Sequence, residues 1–277
     1  MTIWVVGAEG FLGKHLSSYF FQNSLKFKYS SRKLDQGDHY LDLVDSDSIE
    51  SFPLYEGDVV VFLAGISSPE ICENQPLLAK SVNFDGSSQF IEAAIKKGAR
   101  VLFASTDAVY GNQTGRLSED APCFPAGKYA EFKNGLERKF SHTPEFKSLR
   151  FSFILASNDK FTSLLREKSS PPETVDVYSN FKRNAVNLSD VLIGITTLVL
   201  NWDAAMGNSI INFSGSSCLG RDQIALEICE KYGFKAKLNP TVGPDNFFEI
   251  RPKIIYTSND LFKILLEESS LPHYLTN

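Results

Sequence analysis

Ile3-Trp4-Val5-Val6-Gly7-Ala8-Glu9-Gly10-Phe11-Leu12-Gly13 is a short apolar run that stops at a glycine and enters a segment with helical spacing. The order strand, glycine turn, helix gives the pattern its meaning. Gly7 permits the tight turn, Gly10 lets a pyrophosphate approach backbone N–H groups, and Gly13 lets the helix sit close to the strand. The start of that helix would face the phosphates with the positive end of its dipole. Gly7, Gly10, Phe11, Leu12 and Gly13 are therefore the expected dinucleotide-binding turn.

Outward from this turn, apolar runs recur at Phe27–Tyr29, Val59–Leu63, Arg100–Ala104 and Leu149–Leu155. A run such as Val59-Val60-Val61 fits a strand buried on both faces, as in a parallel sheet covered by helices on each side. Between these runs, residues 13–21, 83–97 and 129–140 have apolar spacing compatible with helices. The expected fold is α/β, a doubly wound parallel sheet of the Rossmann type with a smaller C-terminal substrate lobe. Regularity fades after Leu155, and Ser169-Ser170-Pro171-Pro172 breaks structure. Residues 187–201 and 222–232 read as helices again, and 238–252, with three prolines and a glycine, as loop-rich. The division expected is 1–155 continued by 182–232 as the cofactor-binding core, with 156–181 and 233–277 as the substrate lobe.

Bulk properties narrow the function. With 277 residues, 43% hydrophobic and 22% charged, the chain has the composition of a soluble globular protein. A net charge of -5 argues against gripping a nucleic-acid backbone, which needs a concentrated basic face. Cys72, Cys123, Cys218 and Cys229 form no CxxC pair, and the four histidines lack ligand spacing, so neither a disulfide framework nor a metal site is expected. The initial apolar run is too short for a signal peptide, and residues 191–202 fall short of a spanning helix of about 20 residues. A cytoplasmic protein without membrane contact is expected.

The end of the second strand chooses between dinucleotides, because an acid there accepts hydrogen bonds from the ribose 2′-hydroxyl of NAD. Tyr29-Ser30-Ser31-Arg32-Lys33 contains no acid. A guanidinium beside hydroxyls suits a 2′-phosphate, which makes NADP the expected cofactor and NAD the lesser alternative, with Ser31 and Arg32 as contacts. The other reading of Arg32 and Lys33 is a pair of solvated loop cations.

The strand ending at Ala104 continues as Ser105-Thr106-Asp107-Ala108-Val109-Tyr110-Gly111, and Tyr129 and Lys133 follow in a Tyr-x-x-x-Lys spacing. Four residues apart on a helix, the two side chains share one face. A nearby ammonium favours the phenolate of a tyrosine whose ordinary pKa is ~10, which makes Tyr129 a usable acid or base. Thr106 can place its hydroxyl against the same substrate oxygen. Asp107 and Glu131 either touch substrate or are solvated carboxylates.

Taken in order, the glycine turn, the Ser-Thr strand end with Val-Tyr-Gly, and Tyr-x-x-x-Lys resemble the short-chain dehydrogenase/reductase superfamily. The resemblance is to its extended branch, the NAD-dependent epimerase/dehydratase family that modifies nucleotide sugars, and extends over most of the chain. It implies that Thr106, Tyr129 and Lys133 are catalytic and that Lys133 also holds the nicotinamide ribose. It further implies that Asp42 and Leu43 lie near the adenine, that Leu63, Ala64 and Gly65 pass under the cofactor, and that Asn83 with Gly86 opens the next helix. Glu119-Asp120-Ala121-Pro122 and Asp190-Val191 match weaker family features. By the same resemblance Arg251 of Arg251-Pro252 meets the sugar-nucleotide diphosphate, with Thr106 and Asp107 also facing substrate. Phe62 and Ala156-Ser157 depart from the family pattern. The activity implied is an NADP-dependent reductase of a nucleotide-linked keto-deoxysugar, similar to dTDP-4-dehydrorhamnose reductase-like enzymes. A nucleotide-sugar epimerase or dehydratase retaining NAD, and a non-enzymatic NADP-binding regulatory protein, are the alternatives. Relatives commonly pair through the helices at 83–97 and 129–140, so a homodimer is expected.

Overall fold

Alternation within the first strand explains why the sheet is covered on both sides. In the computed structural model, which describes residues 1–33 and 36–269, Ile3 and Val5 of β1 (Ile3–Val6) face one hydrophobic cluster. Trp4 and Val6 face another. A strand sends successive side chains to opposite faces, so four apolar residues in a row require two apolar layers. The next elements are α1 (Phe11–Gln22), β2 (Phe27–Ser31), β3 (His39–Tyr40), β4 (Val59–Phe62), α2 (Ser87–Lys96) and β5 (Arg100–Thr106). They are followed by α3 (Lys128–Phe140), β6 (Phe146–Phe151), β7 (Thr174–Tyr178), α4 (Leu188–Leu200), β8 (Ile210–Phe213), α5 (Arg221–Tyr232), β9 (Lys237–Thr241) and α6 (Asp260–Glu267).

The central sheet has seven strands in the order β8-β6-β5-β4-β1-β2-β3. Every pairing in it is parallel. The order reverses direction at β1, so the crevice above β1 and β4 is the switch point where this architecture binds ligands. Leu16 and Phe20 of α1, the length of α4, and Phe262 and Leu265 of α6 cover one face. Phe90 and Ile91 of α2 with Leu136 and Phe140 of α3 cover the other. Each such fully buried Leu, Ile or Phe contributes roughly 1.5–3 kcal/mol.

A separate apolar cluster forms the lobe, where Val175 and Val177 of β7 pack with Ile224, Ala225 and Ile228 of α5. The parallel pair β7–β9 closes it. Two sequence expectations are corrected here. Residues 238–252 are not simply loop-rich, because β9 runs through Pro240; a strand paired on one side only has no need of that missing N–H. The expected strand at 149–155 starts earlier, at Phe146, and ends at Phe151. Within the expected segments 182–232 and 233–277, α5 packs in the lobe's apolar cluster and α6 in that of the core. Among the described residues no helix is long and apolar enough to cross a membrane, and no cluster of metal-ligating side chains occurs.

One buried ion pair fastens α3 to the sheet. Arg150 Nη2 of β6 lies 2.7 Å from Glu137 Oε2 of α3, and both side chains are almost wholly buried, at 4% and 3% exposed. Ser148 Oγ donates to Glu137 Oε1 at 2.8 Å, and Arg150 Nη1 donates to the Glu119 carbonyl at 3.0 Å. Removing one partner of a buried pair leaves the other charge uncompensated, at about 3–5 kcal/mol. Glu137→Ala is therefore expected to lose about that much stability in chemical denaturation. Glu131→Ala, which breaks only the exposed Lys128–Glu131 pair, is expected to lose about 1 kcal/mol or less. Equal losses in the two variants would show that the buried pair does not anchor the helix.

Candidate active site

The glycine turn has the close contacts that its sequence suggests. Gly7 adopts φ +95°, and a Cβ there would lie 2.6 Å from the Ala64 nitrogen. A Cβ on Gly13 would stand 2.3 Å from the Gly7 carbonyl oxygen, so α1 can approach β1 only with glycine at that position. Gly10 is different: its Cβ would meet only the Gly7 oxygen, at 3.3 Å, leaving the outer side of the turn open. No side chain caps the start of α1. Open glycine backbone beside uncapped helical N–H groups fits the pyrophosphate of a dinucleotide. Phe11 is exposed with its ring against His15, while Leu12 packs onto the core.

The other expected cofactor contacts surround this turn with varied roles. Leu63 N bonds the Val6 carbonyl at 2.8 Å, which carries β4 into the Leu63-Ala64-Gly65 segment beside the turn. Asn83 is 2% exposed, and both ends of its amide are engaged by Ile66: Oδ1 accepts from Ile66 N at 2.7 Å, and Nδ2 donates to Ile66 O at 2.9 Å. Its structural task is to hold that loop. It lies in a π-helical turn, residues 81–86, that ends at Gly86, where a Cβ would stand 1.7 Å from the Leu43 oxygen. The resulting contact fixes Leu43, while Asp42 Oδ1 accepts from Val44 N at 3.1 Å. Arg32 is exposed with no ion-pair partner among the described residues, whereas Ser31 is buried.

Thr106, Tyr129 and Asp107 line one cavity of about 190 Å³ at the C-terminal ends of β5 and β6, together with Arg251. Tyr129 sits in the first turn of α3, whose N-terminus Glu73 caps by accepting from Lys128 N at 2.5 Å. Thr106 Oγ1 accepts from Ala108 N at 3.2 Å, turning the chain sharply at the strand end. Asp107 is buried, accepts from Ser152 Oγ at 2.8 Å, and has Arg183 Nε at 3.6 Å. Burial pushes its carboxyl above the usual range against the pull of Arg183. Glu131, the other ambiguous acid, pairs with Lys128 on the exposed side of α3 and does not join the cavity.

Lys133 departs from the simple expectation. Its Nζ donates to the Ala104 carbonyl at 2.7 Å and lies 4.5 Å from the centre of the Phe103 ring. Burial lowers its pKa to about 8. Tyr129 is driven the other way: burial raises the phenol above its ordinary value, and Cys72 and Asp107 raise it further. Without ligands, the shared helical face does not make Tyr129 a phenolate, because the ammonium is turned toward the strand end. The phenol keeps its proton.

Sequence reasoning missed two arginines that line the cavity. Arg183 is buried, with Nη1 donating to the Lys182 carbonyl at 2.7 Å and Nη2 to the Pro252 carbonyl at 2.8 Å. Arg221, first residue of α5, lies against Phe153 and Phe161 with its guanidinium carbon 4.2 Å from each ring centre. Burial lowers its pKa to about 10, with Arg183 adding to the effect. No hydrogen-bond acceptor or ion pair engages its guanidinium among the described residues. Arg251 carries a salt bridge to Glu70 and lies over Phe247. A lone arginine after a glycine gives no local signal separating it from a solvated helical cation.

Residues 3–144 match the model of the NAD dependent epimerase/dehydratase family, and the chain belongs to that family. It is 29% identical over 138 residues to methionine adenosyltransferase 2 subunit beta of Pongo abelii, a stretch that is 47% of this chain and 40% of that protein. Less than half of that relative's length is therefore matched. To dTDP-4-dehydrorhamnose reductase of Mycobacterium tuberculosis it is 22% identical over 263 residues, 92% of this chain and 83% of that protein. Among solved structures, dTDP-4-dehydrorhamnose reductase of Bacillus anthracis in complex with NADP has a TM-score of 0.80 at 18% identity, covering 96% of this chain and 97% of that one. MoeE5 in complex with UDP-glucuronic acid and NAD has a TM-score of 0.76 at 20% identity, covering 98% and 94%. These structural likenesses show the fold.

A lysine whose folded pKa lies below its unfolded value destabilises the fold while it is charged, and this penalty fades as pH rises from the folded toward the unfolded value. For Lys133 that window runs from about 8 to the ordinary 10.5. Measured against Lys133→Met, the unliganded wild type is expected to gain stability across this window in pH-dependent denaturation. A stability difference that stays flat with pH would show that the ammonium is well solvated.

Proposed function

We propose that the chain is an NADP-dependent reductase of a nucleotide-linked keto-deoxysugar. The observation that carries this reading is one cavity lined by Thr106, Asp107 and Tyr129 and by Arg221 and Arg251. When bound, the reduced nicotinamide supplies a hydride to the carbonyl carbon. Tyr129 donates its phenolic proton to the carbonyl oxygen, and Thr106 orients that oxygen through its hydroxyl. Lys133, set between Ala104 and the Gly65 segment, holds ribose hydroxyls. Arg221 and Arg251 supply the positive field for a diphosphate, and the Arg221 guanidinium, which has no ion-pair partner among the described residues, offers its N–H donors to phosphate oxygens. Exposed Arg32 at the end of β2 supports NADP over NAD.

In the unliganded fold burial raises the Tyr129 phenol above its ordinary value, so the side chain carries the proton that its role as donor needs. Likeness to a protein named as a subunit of methionine adenosyltransferase favours a second reading, in which the same fold serves as a dinucleotide-binding partner of another enzyme.

Incubation with NADPH and a panel of nucleotide-linked 4-keto-6-deoxysugars, following absorbance of the reduced cofactor, tests both readings. Cofactor consumption with at least one sugar is expected. Tight NADP binding without consumption across the panel would favour the partner reading. Tyr129→Phe is expected to retain cofactor binding and to lose about 10²–10⁴ in kcat, the usual contribution of general acid catalysis. Near-normal turnover in that variant would move the proton donor elsewhere.

A further inference from the structure

No acid stands in the sequence between Tyr29 and Lys33, yet the fold brings one to that place. Glu9, from the glycine turn, reaches the end of β2. There Ser31 Oγ donates to Glu9 Oε1 at 3.3 Å, and Lys33 Nζ lies 3.9 Å from the same oxygen. The Ser31 hydroxyl also accepts from Lys33 N at 3.0 Å, so the strand end and the glycine turn are tied together through one buried serine. Glu9 itself remains open to solvent, with 43% of its side chain exposed.

In this fold the adenosine ribose reaches its 2′-oxygen toward the end of the second strand, beside the glycine turn. A carboxylate at that point accepts hydrogen bonds from ribose hydroxyls and repels a 2′-phosphate, which carries a charge of about −1.5 to −2. It also partly neutralises Lys33, leaving Arg32 as a cation with no ion-pair partner among the described residues. We propose that Glu9 is the residue that sets cofactor discrimination in this protein. Its carboxylate opposes Arg32, so the wild type prefers NADP only weakly and also accepts NAD. This rests on the reading that the chain binds a nicotinamide dinucleotide.

The consequence separates two neighbouring charges by sign. Glu9→Gln keeps the side chain's size and removes its charge, so it relieves repulsion of the 2′-phosphate while weakening acceptance of the ribose hydroxyls. Two unit charges at about 4 Å interact by about 1 kcal/mol even in bulk water, and the phosphate carries more than one, so the gain for NADP is on the order of tenfold. Arg32→Ala acts in the opposite direction. Because both effects are Coulombic and near the surface, each shrinks as salt is added.

Calorimetric or fluorescence titration of NAD and NADP against wild type, Glu9→Gln, Glu9→Ala and Arg32→Ala, at low and high salt, tests the proposal. The expected result is that both Glu9 variants bind NADP about tenfold more tightly and NAD no better than wild type, with the NADP gain reduced at high salt. Arg32→Ala should weaken NADP and leave NAD nearly unchanged. If wild type binds both dinucleotides and the Glu9 variants keep the same affinity ratio, Glu9 does not set discrimination and the proposal is overturned while the cofactor reading stands. If wild type binds neither, the cofactor reading fails and the proposal falls with it. Circular dichroism of the Glu9 variants checks that the exposed substitution leaves the fold intact.

Discussion

The buried pair between Glu137 and Arg150 is the constraint on which the geometry of the cavity depends. It ties the middle of α3 to β6, so the turn bearing Tyr129 and Lys133 has a fixed distance from the sheet. The same guanidinium lies 4.7 Å from the centre of the Tyr110 ring and donates to the Glu119 carbonyl. Tyr110 donates in turn to Asn212 Oδ1 at 2.8 Å, and Asn212 N donates to the Glu119 carboxylate at 3.1 Å. One network therefore joins α3, β6, β8 and the turn that follows Thr106. Burial alone would lower the pKa of Arg150, but Glu137 raises it, so the charge persists at any pH the protein meets. Such a pair contributes little net stability over an apolar replacement, but breaking one half is costly, which makes it a device for position.

Electrostatic imbalance characterises the cavity that this framework holds. Asp107 answers Arg183, and Glu70 answers Arg251, but no carboxylate bonds Arg221 among the described residues. Phe153 and Phe161 lie against the Arg221 guanidinium, each ring centre 4.2 Å from its carbon, with the two rings steeply inclined to one another. The planar N–H donors of a guanidinium match carboxylate or phosphate oxygens better than neutral hydroxyls. Retaining a buried cation without an acceptor is unfavourable for the unliganded fold. An anionic ligand recovers that loss.

The sequence made the core legible where its periodicity was unambiguous and less so where contacts are distant. Uninterrupted apolar runs at 3–6 and 59–62 gave the central strands, because burial on both faces leaves no polar alternation to misread. The glycine turn was equally readable, since Gly7 and Gly13 are required by contacts with immediate neighbours. Ile210–Phe213 escaped although Gly207-Asn208-Ser209 and Ser214-Gly215-Ser216 bracket it, because four residues are too few to display a period. Residues 222–232 were legible as a helix but their packing partner was not: periodicity gives a helix its apolar stripe without saying which sheet receives it. Glu9, Arg183 and Arg221 carried no local signal for a related reason. Each acquires its meaning from residues more than twenty positions away, brought near only by the fold.

Lys133 shows how the charge of one buried side chain can answer to what fills the crevice beside it. An ammonium has three N–H donors, and among the described residues only the Ala104 carbonyl accepts from this one. A ligand that offers acceptors to the remaining donors stabilises the charged form and raises the pKa from about 8. By linkage, the protonated lysine must then bind that ligand more tightly than the neutral one. At neutral pH a lysine with a pKa of about 8 is already mostly charged, so the unliganded fold carries the ammonium at a cost in stability. Hydroxyl acceptors brought beside Ala104 by a ligand would recover part of that cost, which couples the protonation of this one buried side chain to occupation of the crevice next to it.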